Sequence, residues 1–101
     1  MQRLIEHWNC IDKILTEWNA SPPQDEEQLK HFADLSFDWT EETAKTLSLL
    51  GAEYAHQLRQ TKALYFESDH KFAMRSEGLF GTLVGRYELL KRYTTPGGLN
   101  I

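Results

Sequence analysis

Residues 40–93, TEETAKTLSLLGAEYAHQLRQTKALYFESDHKFAMRSEGLFGTLVGRYELLKRY, carry a single helical pattern over more than half of the chain. Leu47, Leu50, Tyr54, Leu58, Tyr65, Phe72, Leu79, Leu83, Tyr87 and Leu90 recur at steps of three, four or seven. With about 100° of rotation per residue, Leu90 lies only about 20° out of phase with Leu47, so one apolar stripe survives the whole length. No proline interrupts it. Read as one continuous helix it would be on the order of 80 Å long, more than a compact domain of about 100 residues spans. The excess predicts self-association through the long helix, as a homodimer or small oligomer. A tight junction capped by Ser68, within Glu67-Ser68-Asp69, is the alternative to continuity, and the unbroken phase favours continuity.

Upstream, Leu4, Trp8, Ile11, Leu15 and Trp18 alternate steps of four and three, which predicts a first helix over residues 2–19 with both tryptophans in the core. The run Asn19-Ala20-Ser21-Pro22-Pro23-Gln24 ends it. Ser21 has the chemistry of an N-cap, Pro22 suits a first helical position and Gln24 stands at capping-box spacing, so a second helix is predicted over residues 22–35. Asp25, Glu26 and Glu27 then fall in its first turn, where the helix dipole favours negative charge. Another turn is expected between Ser36 and Thr40, with Asp38 or Thr40 capping the long helix and Trp39 packed back beside its start. The predicted fold is all-α: two short N-terminal helices on one long C-terminal helix, a single domain over residues 1–93, and a flexible tail over residues 94–101.

The chain has 101 residues, 41% hydrophobic and 26% charged, with a net charge of −4. Residues 1–58 contain eleven acidic and four basic side chains, whereas residues 59–101 contain four acidic and seven basic, so local charges of −7 and +3 sit at opposite ends of the sequence. Such asymmetry belongs either to an ordinary solvated surface or to docking. Cys10 is the only cysteine, which rules out an intrachain disulfide and fits a reducing compartment. The first residues lack signal-peptide form and no apolar run approaches a membrane span, so a cytoplasmic protein without membrane association is expected.

Gly78, Gly81 and Gly85 fall within eight residues of the long pattern. Each costs roughly 1 kcal/mol relative to alanine in a helix. They lie nearly opposite Leu79, Leu83 and Leu90, so they either open a second face to close backbone approach or mark a kinked end. Together with Leu79, Leu83 and Tyr87, the three glycines form the candidate oligomer interface.

Glu53 and His56, and again Glu67 and His70, have the Glu-x-x-His spacing of di-iron bundles. The pairs stand about 21 Å apart on a continuous helix and cannot converge, and His7 with Cys10 supplies only two ligands. No metal or cofactor is expected. Neither a phosphate loop nor a nucleophile–base spacing is present, so the chain is read as a non-enzyme. Arg75, Arg86, Lys91 and Arg92 in the basic half are the candidate partner-binding residues. A protein partner is the first expectation, with the chain as adaptor, scaffold or inhibitor; a nucleic-acid-associated accessory factor is the alternative.

Ala63, Tyr65, Ser68, Arg75, Glu88 and Arg92 follow an A-x-Y, small residue, Arg, Glu-x-x-x-Arg pattern that resembles certain small all-helical proteins of bacteriophage and prophage accessory regions. The resemblance spans about thirty residues and departs from those proteins in the tryptophan-rich N-terminal half. It implies a small non-enzymatic modulator of a larger host or phage machine.

Overall fold

The first helix, α1 (Gln2–Ala20), forms where the 4-3 spacing places it and buries Leu4, Ile11, Ile14, Leu15 and Trp18. Its last backbone bond runs from Ser21 N–H to Glu17 O at 3.0 Å, after which Pro22 has no N–H to continue the ladder. The computed structural model describes residues 2–62 and 71–94. Within them lie three further helices, α2 (Glu26–Ser48), α3 (Ala52–Gln60) and α4 (Phe72–Thr94).

The cap of α2 is Asp25, four residues beyond the expected Ser21. Its carboxylate accepts from Gln28 N–H at 2.8 Å, while the Gln28 side chain accepts from Gln24 N–H at 2.7 Å. Pro22 cannot open the helix because Pro23 follows it, and a residue before proline is pushed out of the α region. Asp25 caps Gln28 N–H instead, and the Gln28 side chain reaches back one residue further, to Gln24 N–H.

The turn expected between Ser36 and Thr40 does not form, and α2 runs straight through it. Neither glycine nor proline occurs from Gln24 to Leu50. Thr40 Oγ1 turns back onto Ser36 O at 2.7 Å, so the polar run is absorbed inside the helix. Trp39 is buried, and its Nε1 donates to His7 O of α1 at 2.7 Å. Leu29, Phe32, Ser36, Trp39, Thr43 and Leu47 thus form one stripe, and Leu47 closes α2 rather than opening the long helix.

The long helix is divided. Leu50 and Gly51 N–H both bond Leu47 O, at 2.9 and 3.0 Å, and Gly51 is extended at φ 162, ψ 134. A Cβ on Gly51 would come within 3.2 Å of the Tyr54 ring, so the turn suits glycine. The second division follows Gln60, where Thr61 leaves the helix at φ −81, ψ 92. Ser68, the alternative junction, lies outside the described residues, as do Tyr65, Glu67, His70 and residues 95–101. With both breaks the molecule measures 42 × 25 × 18 Å, about half the expected helix length. Phase was retained because each segment turns its apolar face to one common core, which needs no unbroken axis.

The helix α1 lies between α2 and α4, and α3 folds back along the C-terminal part of α2. Trp18 meets Phe32 of α2 with ring centroids 4.8 Å apart and Phe80 of α4 at 5.4 Å, while Trp8 stacks on Tyr87 at 5.2 Å. These contacts make α1 antiparallel to both α2 and α4, so α2 and α4 run parallel where they meet.

A polar layer crosses this core. Arg86 is only 4% exposed. Its Nε donates to Leu58 O at 3.2 Å and Thr61 O at 3.0 Å, Nη2 to Arg59 O at 3.4 Å, and Nη1 to Thr40 Oγ1 at 2.8 Å. The guanidinium therefore caps the carbonyl end of α3, where a cation suits the helix dipole, and joins it to α2. Gly85 serves the same junction: a Cβ there would meet Thr61 Cγ2 at 3.0 Å. By contrast, Thr43 is fully buried with its Oγ1 unpartnered.

Two stability predictions follow from this layer. Arg86→Met should destabilise the fold by about 2–4 kcal/mol in urea unfolding, because it strands buried carbonyls, with Arg86→Lys recovering only part of the loss. A loss below about 1 kcal/mol would contradict the capping role. Thr43→Val, which keeps the shape and removes an unpartnered hydroxyl, should stabilise by about 1 kcal/mol; a destabilised variant would show that the hydroxyl has a partner.

Candidate docking surface

Where α1 and α2 run antiparallel their surface forms an open trough. Ile14, Leu35 and Trp39 make its floor; Cys10, Lys13 and Glu17 rise from α1, Asp38 and Glu42 from α2, and His7 lies at one end. Ile14 and Trp39 are buried and Leu35 is half-buried, so Leu35 is the most accessible apolar side chain of the floor. The rim is acidic. Among the described residues no ion pair involves Glu6, Glu17 or Asp38, and Glu42 has only an exposed contact with Lys45 at 3.4 Å.

Helix stability does not account for these carboxylates. Glu17 lies near the carbonyl end of α1, where negative charge opposes the dipole, and that helix has no basic residue in its last turn. Asp38 occupies the middle of α2, where aspartate is a poor helix former.

A second trough, between α2 and α4, is lined by Leu29, Ala33, Phe37 and Leu79, with Phe37 66% exposed. Its charged side chains are balanced in number, Glu26 and Asp34 against Lys30 and Arg75. Arg75 grips Glu26 with two donors, Nη1 to Oε2 at 3.0 Å and Nη2 to Oε1, which holds the Glu26 carboxyl below the usual range. Arg59 pairs with Glu41 at 3.2 Å. The α1/α2 trough instead carries three carboxylates, Glu17, Asp38 and Glu42, against one lysine, Lys13.

The residues singled out in the sequence divide sharply. Arg86 is buried and holds the fold together, so it is no surface contact. Arg75 is engaged with Glu26, while Lys91 and Arg92 are exposed in the last turn of α4. Leu79 and Leu83 belong to the chain's own core, and Tyr87 is half-buried on Trp8. Gly78 is buried, Gly85 is half-buried against Thr61 and Gly81 is exposed, so the glycines do not form one external stripe. Arg86 shows its place only by register, four residues before Leu90 and three after Leu83. Asp38, a cap candidate by sequence, stands inside α2 and shares the trough with Glu17 and Glu42, a juxtaposition of two helices that spacing along either one does not show.

No metal-binding group of three or more His, Cys, Asp or Glu side chains occurs among the described residues. Glu53 and His56 are exposed on α3. No helix of the described residues is long and apolar enough to cross a membrane. No protein-family model, curated protein or solved structure matches this chain.

His7 ties the trough to the fold. Its Nε2 shares a hydrogen bond with Thr46 Oγ1 at 2.8 Å and its carbonyl receives Trp39 Nε1. Burial lowers its pKa below the ordinary 6.5 and Arg3 adds to this, while Glu42 and Glu6 oppose. The folded chain therefore binds fewer protons than the unfolded chain just below that ordinary value. The His7 contribution to stability is complete above it and is lost as pH falls through the lowered folded pKa. Between about pH 7.5 and about pH 5.5 the wild type should lose more thermal stability than His7→Gln. Equal losses in the two proteins would refute the assignment.

Proposed function

We propose that this chain is a non-enzymatic protein-interaction module that acts by presenting its α1/α2 trough to a protein partner, as an adaptor, scaffold or inhibitor. The observation that carries the reading is the apolar floor of Ile14, Leu35 and Trp39 beneath Glu17 and Asp38, which have no ion-pair partner among the described residues. An apolar centre inside a polar rim is the usual anatomy of a protein interface. The modulator of a larger machine implied by the phage-protein resemblance is one form such a module takes.

The nucleic-acid reading loses two of its four cations to contacts within the chain, Arg75 to Glu26 and Arg86 to α3. The acidic α1/α2 face would moreover repel a phosphate backbone. Self-association through α4 loses its motive, since Leu79 and Leu83 are 5% and 0% exposed within a single chain.

The tagged chain, expressed in its native host, should recover a protein in near-stoichiometric amount, and Leu35→Gln should lose that protein while the chain keeps its helical circular-dichroism spectrum. Recovery unaffected by Leu35→Gln would place the interface elsewhere. In fluorescence anisotropy, labelled DNA and RNA should bind no tighter than about 10 μM at about 150 mM salt. Submicromolar, salt-sensitive binding would make the nucleic-acid reading the better one.

A further inference from the structure

We infer that the α1/α2 trough receives a cationic amphipathic helix, one that lays an apolar stripe on Ile14, Leu35 and Trp39 and places Lys or Arg against Glu17 and Asp38 on opposite rims. The inference rests on the reading of the chain as a protein-interaction module and names the chemistry of the partner. Three properties of the trough select that chemistry.

The first is charge. Glu17 rises from α1, Asp38 and Glu42 from α2, and neither Glu17 nor Asp38 has an ion-pair partner among the described residues. Glu6 extends the same acidic sign along α1, and Lys13 is the one lysine or arginine on the rim. A partner with cations along both edges answers a charge that the fold does not. An anionic membrane or a nucleic acid would be repelled by it. The second property is shape. From His7 to Glu17 the trough extends about 15 Å along α1, the rise of roughly three helical turns. Two antiparallel helices offer a ridged groove that accepts a third helix.

The third is the lack of any template for an extended strand. The described residues are helices and short connections, with no strand edge to which a peptide backbone could add. The locations of Glu17 and Asp38, unfavourable for their own helices, fit an affinity function rather than a stabilising one. A second copy is the weaker occupant, because in the chain's own basic half Arg75 is engaged with Glu26 and Arg86 is buried.

The test uses the full chain and three synthetic peptides of roughly 15 residues, the length at which a good helix former becomes marginally helical. One carries leucines at i, i+3, i+4 and i+7 with lysines elsewhere; one has the same composition scrambled to destroy the stripe; one has glutamate for every lysine. In titration calorimetry the striped lysine peptide should bind one to one, and both others at least about tenfold more weakly. Asp38→Lys combined with Glu42→Lys should lower affinity for the lysine peptide by about tenfold or more and raise it for the glutamate peptide. That reversal is a gain which a merely unfolded variant cannot produce.

Equal binding of the striped and scrambled lysine peptides would reduce the trough to nonspecific electrostatics and overturn the inference. So would no binding of the striped peptide at about 100 μM, or dimers in light scattering that Asp38→Lys with Glu42→Lys disperses. If Leu35→Gln abolishes capture of a host protein while the lysine peptide does not bind, the partner chemistry alone is wrong. If neither binds, the module reading falls with it.

Discussion

One guanidinium holds the architecture to its shape. Arg86 projects from α4 into the carbonyl end of α3, reaching Leu58 O, Arg59 O and Thr61 O, and bonds Thr40 on α2 with its remaining arm. A helix of nine residues such as α3 is too short to persist by itself. Of the three carbonyls that the planar fork of Arg86 satisfies at once, only Leu58 O also receives a backbone donor among the described residues, Thr61 N–H at 3.2 Å. The chain can therefore break its long helical pattern after Gln60 without leaving a buried helix end unsatisfied. The rest follows from that closure: α3 lies back on α2, α4 returns beside α1, and the apolar stripes of all four helices meet.

The same closure sorts the charged surface. Basic residues of the C-terminal half are drawn inward or sideways, Arg86 to α3, Arg75 to Glu26 and Arg59 to Glu41. Part of the acidic excess of the N-terminal half, Glu17, Asp38 and Glu42, is left on the outer side of α1 and α2, where among the described residues no ion pair reaches Glu17 or Asp38. Part of the charge asymmetry along the sequence thus gathers at the α1/α2 trough. Coulomb interactions at such a surface set orientation and encounter rate more than affinity, and the apolar floor would supply most of the binding energy.

Tryptophan placement was legible from spacing alone. Trp8 and Trp18 fall on the α1 stripe and are packed against Tyr87, Phe32 and Phe80. Trp39 was expected beside a helix start because Ser, Asp and Thr surround it. It stands instead inside α2, because its indole N–H finds His7 O across the helix interface. Local propensity for a turn was worth less than the burial of one large aromatic together with a satisfied hydrogen bond.

The pattern of apolar residues by itself determined that the chain is helical, where α1 lies, and that Leu47, Leu58, Leu79, Leu83 and Leu90 enter the core, because burial on one face leaves a period of 3.6 in the sequence; Leu50 of the same stripe is exposed at the turn before Gly51. Tertiary structure alone decided how many helices there are. Gly51 and Thr61 break the run without disturbing its phase, since each segment keeps facing the same core. Only the fold could make Arg86 a buried cap and Glu17 and Asp38 the facing rims of one trough. Both assignments depend on which backbone or side chain lies across from a residue, and periodicity along one helix carries no record of what is opposite.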